Sequence, residues 1–289
     1  LWMRVPPSIR VDLQGELVEP VASKDVVLSL IGQMGDDGAR YQAVHFMGEA
    51  VERMPMYQRL TLTNMTTEMG AKAGMIHCDE ETLRYLDATP MASGRRSEVR
   101  DHAGLRADAD AAYAKTYTLD CSKLEPVVAL PQSPENVVPV REAAPKVTKV
   151  DQVFIGSCTN ARYEDLETVA NILKGHHVKK GTRLVVFPAS TSIYLRALES
   201  GIIKTITEAG GIFNPSSCGA CFGGMGGVLA EKEVCVSTSN RNYKGRMGHP
   251  DSLSYLVSPA TAAVTAIEGK LTDPRQYFSE GELRQRVVA

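Results

Sequence analysis

The hydrophobic positions in the first part of the chain predict alternating strands and helices. Residues 10–13 alternate between apolar and polar side chains, which is typical of a strand. Ser23 is predicted to cap a helix, because the residues after it place apolar side chains on one face until Gly35. Residues 41–47 form a second predicted strand, and residues 60–72 form a second predicted helix.

The second predicted helix carries two polar side chains on one side. Asn64 and Glu68 are four residues apart and would therefore share a helical face. Gly70 and Gly74 are predicted to close this helix. By residue type alone, Glu68 is best interpreted as a carboxylate on the helix surface.

Two polar or proline-rich segments interrupt the pattern. Residues 88–116 are rich in Ala, Arg and Asp and are predicted to form an exposed insertion. Residues 124–150 contain several prolines and few helix signals, which is typical of an extended connector. We therefore predict two α/β domains, residues 1–123 and 124–289, with the boundary at this connector.

The second half repeats the alternation more clearly. The predicted strands are residues 150–155, 183–187 and 233–238. The first predicted helix ends at Gly175, and its apolar face consists of Leu166, Val169, Ala170 and Leu173. The second covers residues 192–198 and is followed by Gly201. The third begins at Pro259, after the cap Ser258, and ends before Gly269. Residues 213–227 are glycine-rich, which predicts no regular element and a backbone that approaches another group closely.

Composition is that of an ordinary globular protein and argues against some classes of function. The chain has 289 residues, enough for about two domains, with 43% hydrophobic and 6% aromatic residues and a net charge of −2. Balanced charge and few aromatic residues give no general attraction to nucleic acids or anionic membranes. No apolar run approaches roughly 18 residues, and the first residues resemble neither a signal nor a transit peptide, so a cytoplasmic location is predicted.

Three of the six cysteines, and a histidine pair, are given structural interpretations. The cysteines are too few and too unevenly spaced for a secreted disulfide framework. Cys78, Cys121 and Cys235 are predicted to be small, partly buried hydrophobic residues. His176 and His177 follow a predicted helix end beside two lysines, so we expect them to be exposed and not to bind a metal.

The other three cysteines stand in contexts that suit metal ligation. Cys158 follows a buried strand and precedes a helix, where α/β proteins carry chemistry and helix amides favour an anion. Cys218 and Cys221 form a Cys-x-x-Cys pair, which zinc ribbons, thioredoxin-like sites and iron–sulfur proteins share. Zinc normally takes four protein ligands, and a second pair with matching spacing is absent from the sequence. The residues alone leave open an iron–sulfur cluster with three cysteines and a structural or zinc site.

The segment 237–246 carries groups suited to anions. Asn240 provides an amide, and Arg241 and Arg246 provide guanidinium forks that can bind a carboxylate through two hydrogen bonds. Beside a metal site, these groups suggest a substrate that bears carboxylates. Taken alone, Arg246 would be interpreted as a solvated charge.

Several ordered motifs, spread over essentially the whole chain, resemble the aconitase superfamily. The motifs are residues 155–160, 218–221, 237–248 and 258–263, together with residues 64–74 and 124–126. Within the superfamily, the likeness is strongest to the large subunits of the 3-isopropylmalate dehydratases, which act in leucine biosynthesis.

The resemblance implies a fold, a cofactor and a reaction. It implies three-layer α/β/α domains around a cleft that holds one [4Fe-4S] cluster, with one iron not ligated by protein. The implied reaction isomerises 2-isopropylmalate and 3-isopropylmalate by dehydration and rehydration. The implied site residues are the cluster ligands Cys158, Cys218 and Cys221, the substrate-binding residues Asn64, Asn240, Arg241 and Arg246, and the catalytic residue Glu68.

The chain departs from the family pattern in three respects. Segments with Asp and His that precede this region in the family are absent, so we expect the chain to lack an N-terminal portion. The resemblance also implies a separate small subunit, which supplies the serine base and part of the substrate pocket. Ala220 stands where members commonly have proline, a change that loosens the backbone but removes no ligand.

Alternatives remain within the superfamily and outside it. Homoaconitase and the 2-methylmalate or 2,3-dimethylmalate dehydratases would use the same cluster chemistry on other side chains. A different class would be a scaffold without a cluster that binds RNA, or a structural domain stabilised by zinc. The balanced charge argues against RNA, and the missing fourth ligand argues against zinc.

Overall fold

The computed structural model describes residues 2–89 and 103–278, which form two β-sheets packed against helices. The predicted α/β class is confirmed. Within the described residues, no helix combines the length and the apolar character that crossing a membrane requires.

The first sheet contains four parallel strands. They are β1 (Ser8–Gln14), β2 (Ala43–Met47), β3 (Ala73–Met75) and β4 (Lys115–Asp120), in the order β3-β2-β1-β4. Alternate side chains of β1 enter the core: Ile9, Val11 and Leu13 are completely buried, as the alternating pattern predicts. β4 begins inside the predicted insertion 88–116, and residues 90–102 of that insertion lie outside the described residues.

Among the described residues, four helices accompany the first sheet. They are α1 (Ser23–Met34), α2 (Glu49–Arg53), α3 (Met56–Asn64) and α4 (Glu80–Ala88). The prediction that Ser23 caps α1 is wrong by one residue. Ala22 occupies the capping position, because the carboxylate of Asp25 accepts a hydrogen bond from the Ala22 N–H and satisfies that donor.

The predicted helix 60–72 also differs from the structure. α3 begins four residues earlier than predicted and tightens after Asn64 into a 3-10 helix (Met65–Met69). Threonine hydroxyls in this segment, such as Thr66, bond to backbone carbonyls and compete with the regular helical ladder. Gly70, with a left-handed φ of 77°, ends the segment, whereas Gly74 lies in β3.

The second sheet contains seven strands. They are β5 (Val127–Ala129), β6 (Val137–Pro139), β7 (Gln152–Ile155), β8 (Arg183–Val186), β9 (Ile212–Phe213), β10 (Val234–Ser237) and β11 (Leu253–Leu256), in the order β6-β5-β11-β10-β7-β8-β9. β5 pairs antiparallel with both β6 and β11, and the other neighbouring strands are parallel.

The predicted connector 124–150 is therefore partly wrong, because it supplies the edge strand β6 and its neighbour β5. Pro139 lacks an N–H donor, and proline in a sheet is confined to such edge positions. Val127 and Ala129 of β5 also join the hydrophobic core of the first sheet. The division into domains 1–123 and 124–289 stays a prediction.

Five helices accompany the second sheet. They are α5 (Val140–Ala143), α6 (Tyr163–Leu173), α7 (Thr191–Glu199), α8 (Ile202–Glu208) and α9 (Pro259–Glu268). The predicted apolar face of α6 is confirmed, since Leu166, Val169 and Leu173 are completely buried. α8 was not predicted: Gly201, expected only as a stop signal, has a φ of 80° and directly precedes this next helix.

The opposite face of the second sheet carries a smaller core. Phe154, Phe187 and Cys235 pack there with Ala220 from the glycine-rich stretch. That stretch contains a short 3-10 helix (Gly219–Phe222), so the prediction of no regular element is wrong. Anchored by Ala220, the turn brings the Cys-x-x-Cys pair to the sheet.

The predicted burial of three cysteines and the predicted exposure of two histidines are confirmed. Cys121 and Cys235 are buried and Cys78 is half-buried. His176 and His177 are both exposed.

Candidate functional site

The candidate site lies where β7 and β10 end. These strands are parallel neighbours, so the loops that follow them leave the sheet at the same edge. The loop after β7 carries Cys158, and the loop after β10 carries Asn240 and Arg241. The 3-10 helix after α3 brings a third set of side chains, including Glu68, against these loops.

The loop after β7 carries Cys158, and its backbone is unusual at two residues near the thiol. Ser157 has a φ of 102° and Ala161 a φ of 59°, values that residues other than glycine rarely adopt. The Ser157 and Thr159 hydroxyls are buried and lie 2.9 Å apart. Cys158, between them, is exposed. The turn therefore directs the thiol outward from a buried, hydrogen-bonded base.

Asn240 links this loop to α3. Its Oδ1 accepts a hydrogen bond of 2.7 Å from the Thr159 hydroxyl, which fixes the orientation of the amide. Its Nδ2 then donates to Asn64 Oδ1 at 3.0 Å and approaches the Cys158 sulfur at 3.4 Å. The Cys158 sulfur also lies 3.4 Å from Asn64 Oδ1. Two asparagines from separate segments thus place their amide groups against one thiol.

The buried carboxylate of Glu68 and the partly exposed guanidinium of Arg241 form an ion pair beside this group. Arg241 Nε donates to both carboxylate oxygens of Glu68, at 2.9 and 2.7 Å. The Glu68 side chain is only 3% exposed, whereas that of Arg241 is 41% exposed. The hydrogen bond and charge of Glu68 raise the pKa of Arg241. Glu68 is therefore not the surface carboxylate that residue type alone suggests.

Cys221 approaches the same group from the 3-10 helix of the second sheet. Burial raises the pKa of the Cys221 thiol, while the backbone N–H of Asn240 and the charge of Arg246 act in the opposite direction. Arg246 Nε also donates to the Cys221 carbonyl at 3.1 Å. Cys158 is close enough to Cys221 for their charges to interact.

Cys218 is connected to Cys221 through the backbone. Its carbonyl accepts a 3.1 Å hydrogen bond from the Cys221 N–H, and its side chain is exposed. Of the residues predicted for the site, side-chain contacts link Asn64, Cys158 and Asn240 in one group and Glu68 with Arg241 in another. Cys218, Cys221 and Arg246 are joined to them through backbone contacts and electrostatic interactions.

The three thiols are of the ligand type that an iron–sulfur cluster takes. Among residues 2–89 and 103–278, no three His, Cys, Asp or Glu side chains converge as the ligands of one ion would. The ligands of an iron–sulfur cluster hold separate corners of a larger group, so their sulfurs stand apart. Cys158, Cys218 and Cys221 are all free thiols, and cationic groups near two of them would offset cluster charge. These residues therefore fit a cluster.

One residue near the site was missed from the sequence. Lys24 of α1 is completely buried, and its ammonium donates to the carbonyls of Thr238 and Ser239. Burial lowers the pKa of Lys24 to about 8, although the negative charges of Cys221, Glu68 and Cys158 act against this shift. A sequence signal existed, since position 24 falls on the apolar stripe of α1 with positions 27, 28 and 31.

Comparisons with known proteins agree with the sequence motifs. The "3-isopropylmalate dehydratase large subunit 1" of Methanopyrus kandleri is 52% identical over 278 residues, which are 96% of this chain and 64% of that protein. The "3-isopropylmalate dehydratase large subunit 2" of Archaeoglobus fulgidus is 48% identical over 96% of this chain and 64% of its own length. The "2,3-dimethylmalate dehydratase large subunit" of Eubacterium barkeri is 46% identical, covering 94% and 63%.

The chain thus spans 64% of the length of the first two of these relatives. The aconitase family (aconitate hydratase) matches residues 1–269, which is most of the sequence and includes every residue of the candidate site. The resemblance predicted from the motifs is confirmed, and the chain belongs to the aconitase family.

Proposed function

We propose that the chain is the large subunit of a hydro-lyase that interconverts 2-isopropylmalate and 3-isopropylmalate by dehydration and rehydration, a reaction of leucine biosynthesis. Relatives that are 52% and 48% identical carry the corresponding name. The structural observation that supports the proposal is the contact of Asn240 with both Cys158 and Asn64, beside the Glu68–Arg241 ion pair.

Cys158, Cys218 and Cys221 would hold one [4Fe-4S] cluster per chain, with one iron not ligated by protein. When bound, the cluster would supply a Lewis acid that makes a substrate hydroxyl easier to remove. The chain's own residues bind and orient the substrate around that position. Asn64 and Asn240 contribute amide groups that can hydrogen-bond the substrate next to Cys158.

The arginines would bind the substrate carboxylates. Arg241 uses Nε for Glu68, which leaves its terminal nitrogens to bind a carboxylate. Arg246 lies beside Cys221 and offers a second guanidinium. Both cations would stabilise the negative charge that develops when a proton leaves the carbon next to a carboxylate.

Glu68 would act in proton transfer at the hydroxyl that leaves and returns. A positioned carboxyl group typically contributes about 10²–10⁴-fold to such a reaction. Arg241 fixes both oxygens of Glu68, so the carboxylate is oriented before substrate binds. Pre-orientation lowers the entropy lost in reaching the reactive arrangement.

We further propose a small-subunit partner that supplies the serine base and part of the substrate pocket. The names of the relatives, which contain the words "large subunit", support this proposal. Exposed apolar side chains beside the Cys-x-x-Cys pair, Phe222, Met225 and Val228, would suit such a partner. The cytoplasmic location stays a prediction.

A second candidate is a dehydratase for a related hydroxy acid. The 46% identity to the 2,3-dimethylmalate dehydratase subunit favours this alternative over others in the family. Homoaconitase would use the same chemistry on a longer substrate. These reactions differ in the side chain of the substrate, so a panel of substrates separates them.

The test begins with anaerobic reconstitution of the chain with iron and sulfide. We expect a brown protein with broad visible absorption, which Cys158→Ala should abolish and the control Cys78→Ala should retain. The chain co-produced with its small subunit is then assayed with isopropylmalate, 2,3-dimethylmalate and homocitrate. A colourless protein that carries stoichiometric zinc, or RNA binding without cluster uptake, would overturn the proposal.

A further inference from the structure

Lys24 connects the two sheets at the candidate site. It lies on α1, which packs in the core of the first sheet, yet its ammonium bonds to the chain that leaves β10 of the second sheet. The distances from Nζ are 2.9 Å to the Thr238 carbonyl and 2.8 Å to the Ser239 carbonyl. Hydrogen bonds from a charged donor to buried carbonyls are stronger than those between neutral groups.

These two carbonyls directly precede the residues that form the site. Asn240 and Arg241 follow Ser239 in the chain, so the path of the backbone at Thr238 and Ser239 sets where both side chains begin. The Thr238 carbonyl receives one other, longer contact, from the Ser157 hydroxyl at 3.5 Å. Lys24 therefore provides the shortest side-chain hydrogen bonds to this pair of carbonyls.

Burial of the Lys24 ammonium near the site removes its favourable hydration free energy. A buried ammonium without a carboxylate partner is unfavourable, and the direct partners of Lys24 are neutral carbonyls. When ionised, Cys221, Glu68, Cys158 and Asp165 would each attract this ammonium. Three of these four belong to the candidate site.

The neighbouring residue Asp25 has a different role. Its carboxylate accepts from the backbone N–H groups of Ala22 and Val127, and burial raises its pKa to about 6. These contacts join α1 to β5 and do not involve the Asn240 turn. Asp25 thus provides a matched comparison, since it is equally buried and adjacent in sequence.

We propose that Lys24 is a positioning residue whose ammonium fixes the turn that presents Asn240 and Arg241 to the site. Its buried positive charge also offsets the negative charge of the thiolates and Glu68. The part concerning charge rests on the proposed function, because it requires the cluster. The part concerning the turn depends only on this chain's own contacts.

The first test uses hydrogen–deuterium exchange of the cluster-free full chain. Lys24→Met keeps the length of the side chain but removes the donor and the charge. We expect amides in residues 238–242 to exchange at least about tenfold faster in this variant, because the turn opens more often. Asp25→Asn should leave exchange in this segment at the wild-type rate, even if it lowers global stability.

A second variant keeps the test decisive if Lys24→Met does not fold. Lys24→Gln retains an N–H donor without the charge, so exchange in 238–242 should fall between those of the wild type and Lys24→Met. Wild-type exchange rates in both Lys24 variants would overturn the proposal.

The contribution of charge is read from the reduction potential of the reconstituted cluster. Both Lys24 variants should shift the potential to more negative values, because a nearby positive charge favours the reduced form. Asp25→Asn should not produce this shift, and an unchanged potential in the Lys24 variants would refute the charge contribution. If the wild-type chain takes up no cluster, the proposed function fails, whereas the exchange comparison still decides the role of Lys24.

Discussion

The candidate site has two halves that are built in different ways. The inner half consists of Asn64, Glu68, Cys158, Asn240 and Arg241, whose side chains bond to one another across long sequence separations. The outer half is the segment 216–228, which contains Cys218 and Cys221. It exposes much of its apolar surface, with Phe222 at 52% and Met225 at 51%.

This difference indicates that the two halves of the site have different roles. The inner half is oriented by the chain's own contacts and can align substrate groups without outside help. The outer half is anchored through Ala220, while its other side chains remain accessible. We therefore expect substitutions in the inner half to affect catalysis and stability. Most substitutions in the outer half, the cysteines excepted, should leave the stability of the isolated chain unchanged.

The largest effect is expected when the exposed thiol of Cys218, in the outer half, is replaced. Cys218→Ser should abolish the visible absorption of the reconstituted chain and lower dehydratase activity by more than about 100-fold, because a cluster ligand is lost. Cys78→Ser, a half-buried cysteine outside the site, is the control and should retain both properties. Full iron and sulfide content in Cys218→Ser would show that the inner half alone organises the metal site.

The next largest effect is expected at the buried carboxylate of the inner half. Glu68→Gln keeps the shape of the side chain but removes the group that exchanges a proton, so kcat should fall by about 10²–10⁴-fold. KM should change much less, because the arginines remain. Glu167→Gln on the exposed surface of α6 is the control, and equal kcat values for both variants would contradict the role of Glu68.

A buried carboxyl group near the inner half, that of Asp165, should make the stability of the chain depend on pH. Asp165, in the first turn of α6 behind Cys158, has its pKa raised by burial from 3.8 to about 6. The folded chain therefore holds this proton more tightly than the unfolded chain between those two pH values. Its contribution to the free energy of unfolding is complete below about pH 4 and is lost as pH rises through 6.

Denaturant unfolding of Asp165→Asn tests this directly. The stability advantage of the wild type over the variant should shrink between pH 4 and pH 6.5, by about 3 kcal/mol in total at about 1.4 kcal/mol per pKa unit. The surface variant Glu167→Gln should show no such trend. A wild-type advantage that grows with pH would mean that Asp165 is charged and paired in the folded chain.

The smallest effect is expected in the outer half. Met225→Ser should change the free energy of unfolding by less than about 0.5 kcal/mol, because the side chain is already half exposed. The same denaturant experiment measures it. A loss above about 1 kcal/mol would show that the outer half is packed in solution and would remove the contrast between the two halves.

Sequence patterns predicted the long elements better than the short ones. The periodic face of α6 and the start and end of α9 were recognised because several signals agree at each position. Strands β5 and β6 have only three residues each and lie among prolines, so composition favoured a connector. A short strand is stabilised by its neighbour in the sheet, and this neighbour is invisible in a local pattern.

The site residues were named through the family resemblance, whereas their contacts required the structure. Cys158 and Asn240 are separated by 82 positions in the chain, and only the pairing of β7 with β10 brings them together. Lys24 was overlooked because a lysine near a helix start is usually solvated. Its burial depends on the segment that follows β10, which lies more than 200 residues away in sequence.

The left-handed backbone at Ser157 has a further consequence for engineering this chain. Glycine would adopt that φ of 102° without strain, so a search for greater stability would select it. Yet the Ser157 hydroxyl is hydrogen-bonded to the Thr159 hydroxyl, which in turn donates to the side-chain oxygen of Asn240. Without this hydroxyl, the side-chain amide of Asn240 would be held less firmly. A more stable Ser157→Gly chain would therefore orient that amide less precisely toward the Cys158 sulfur.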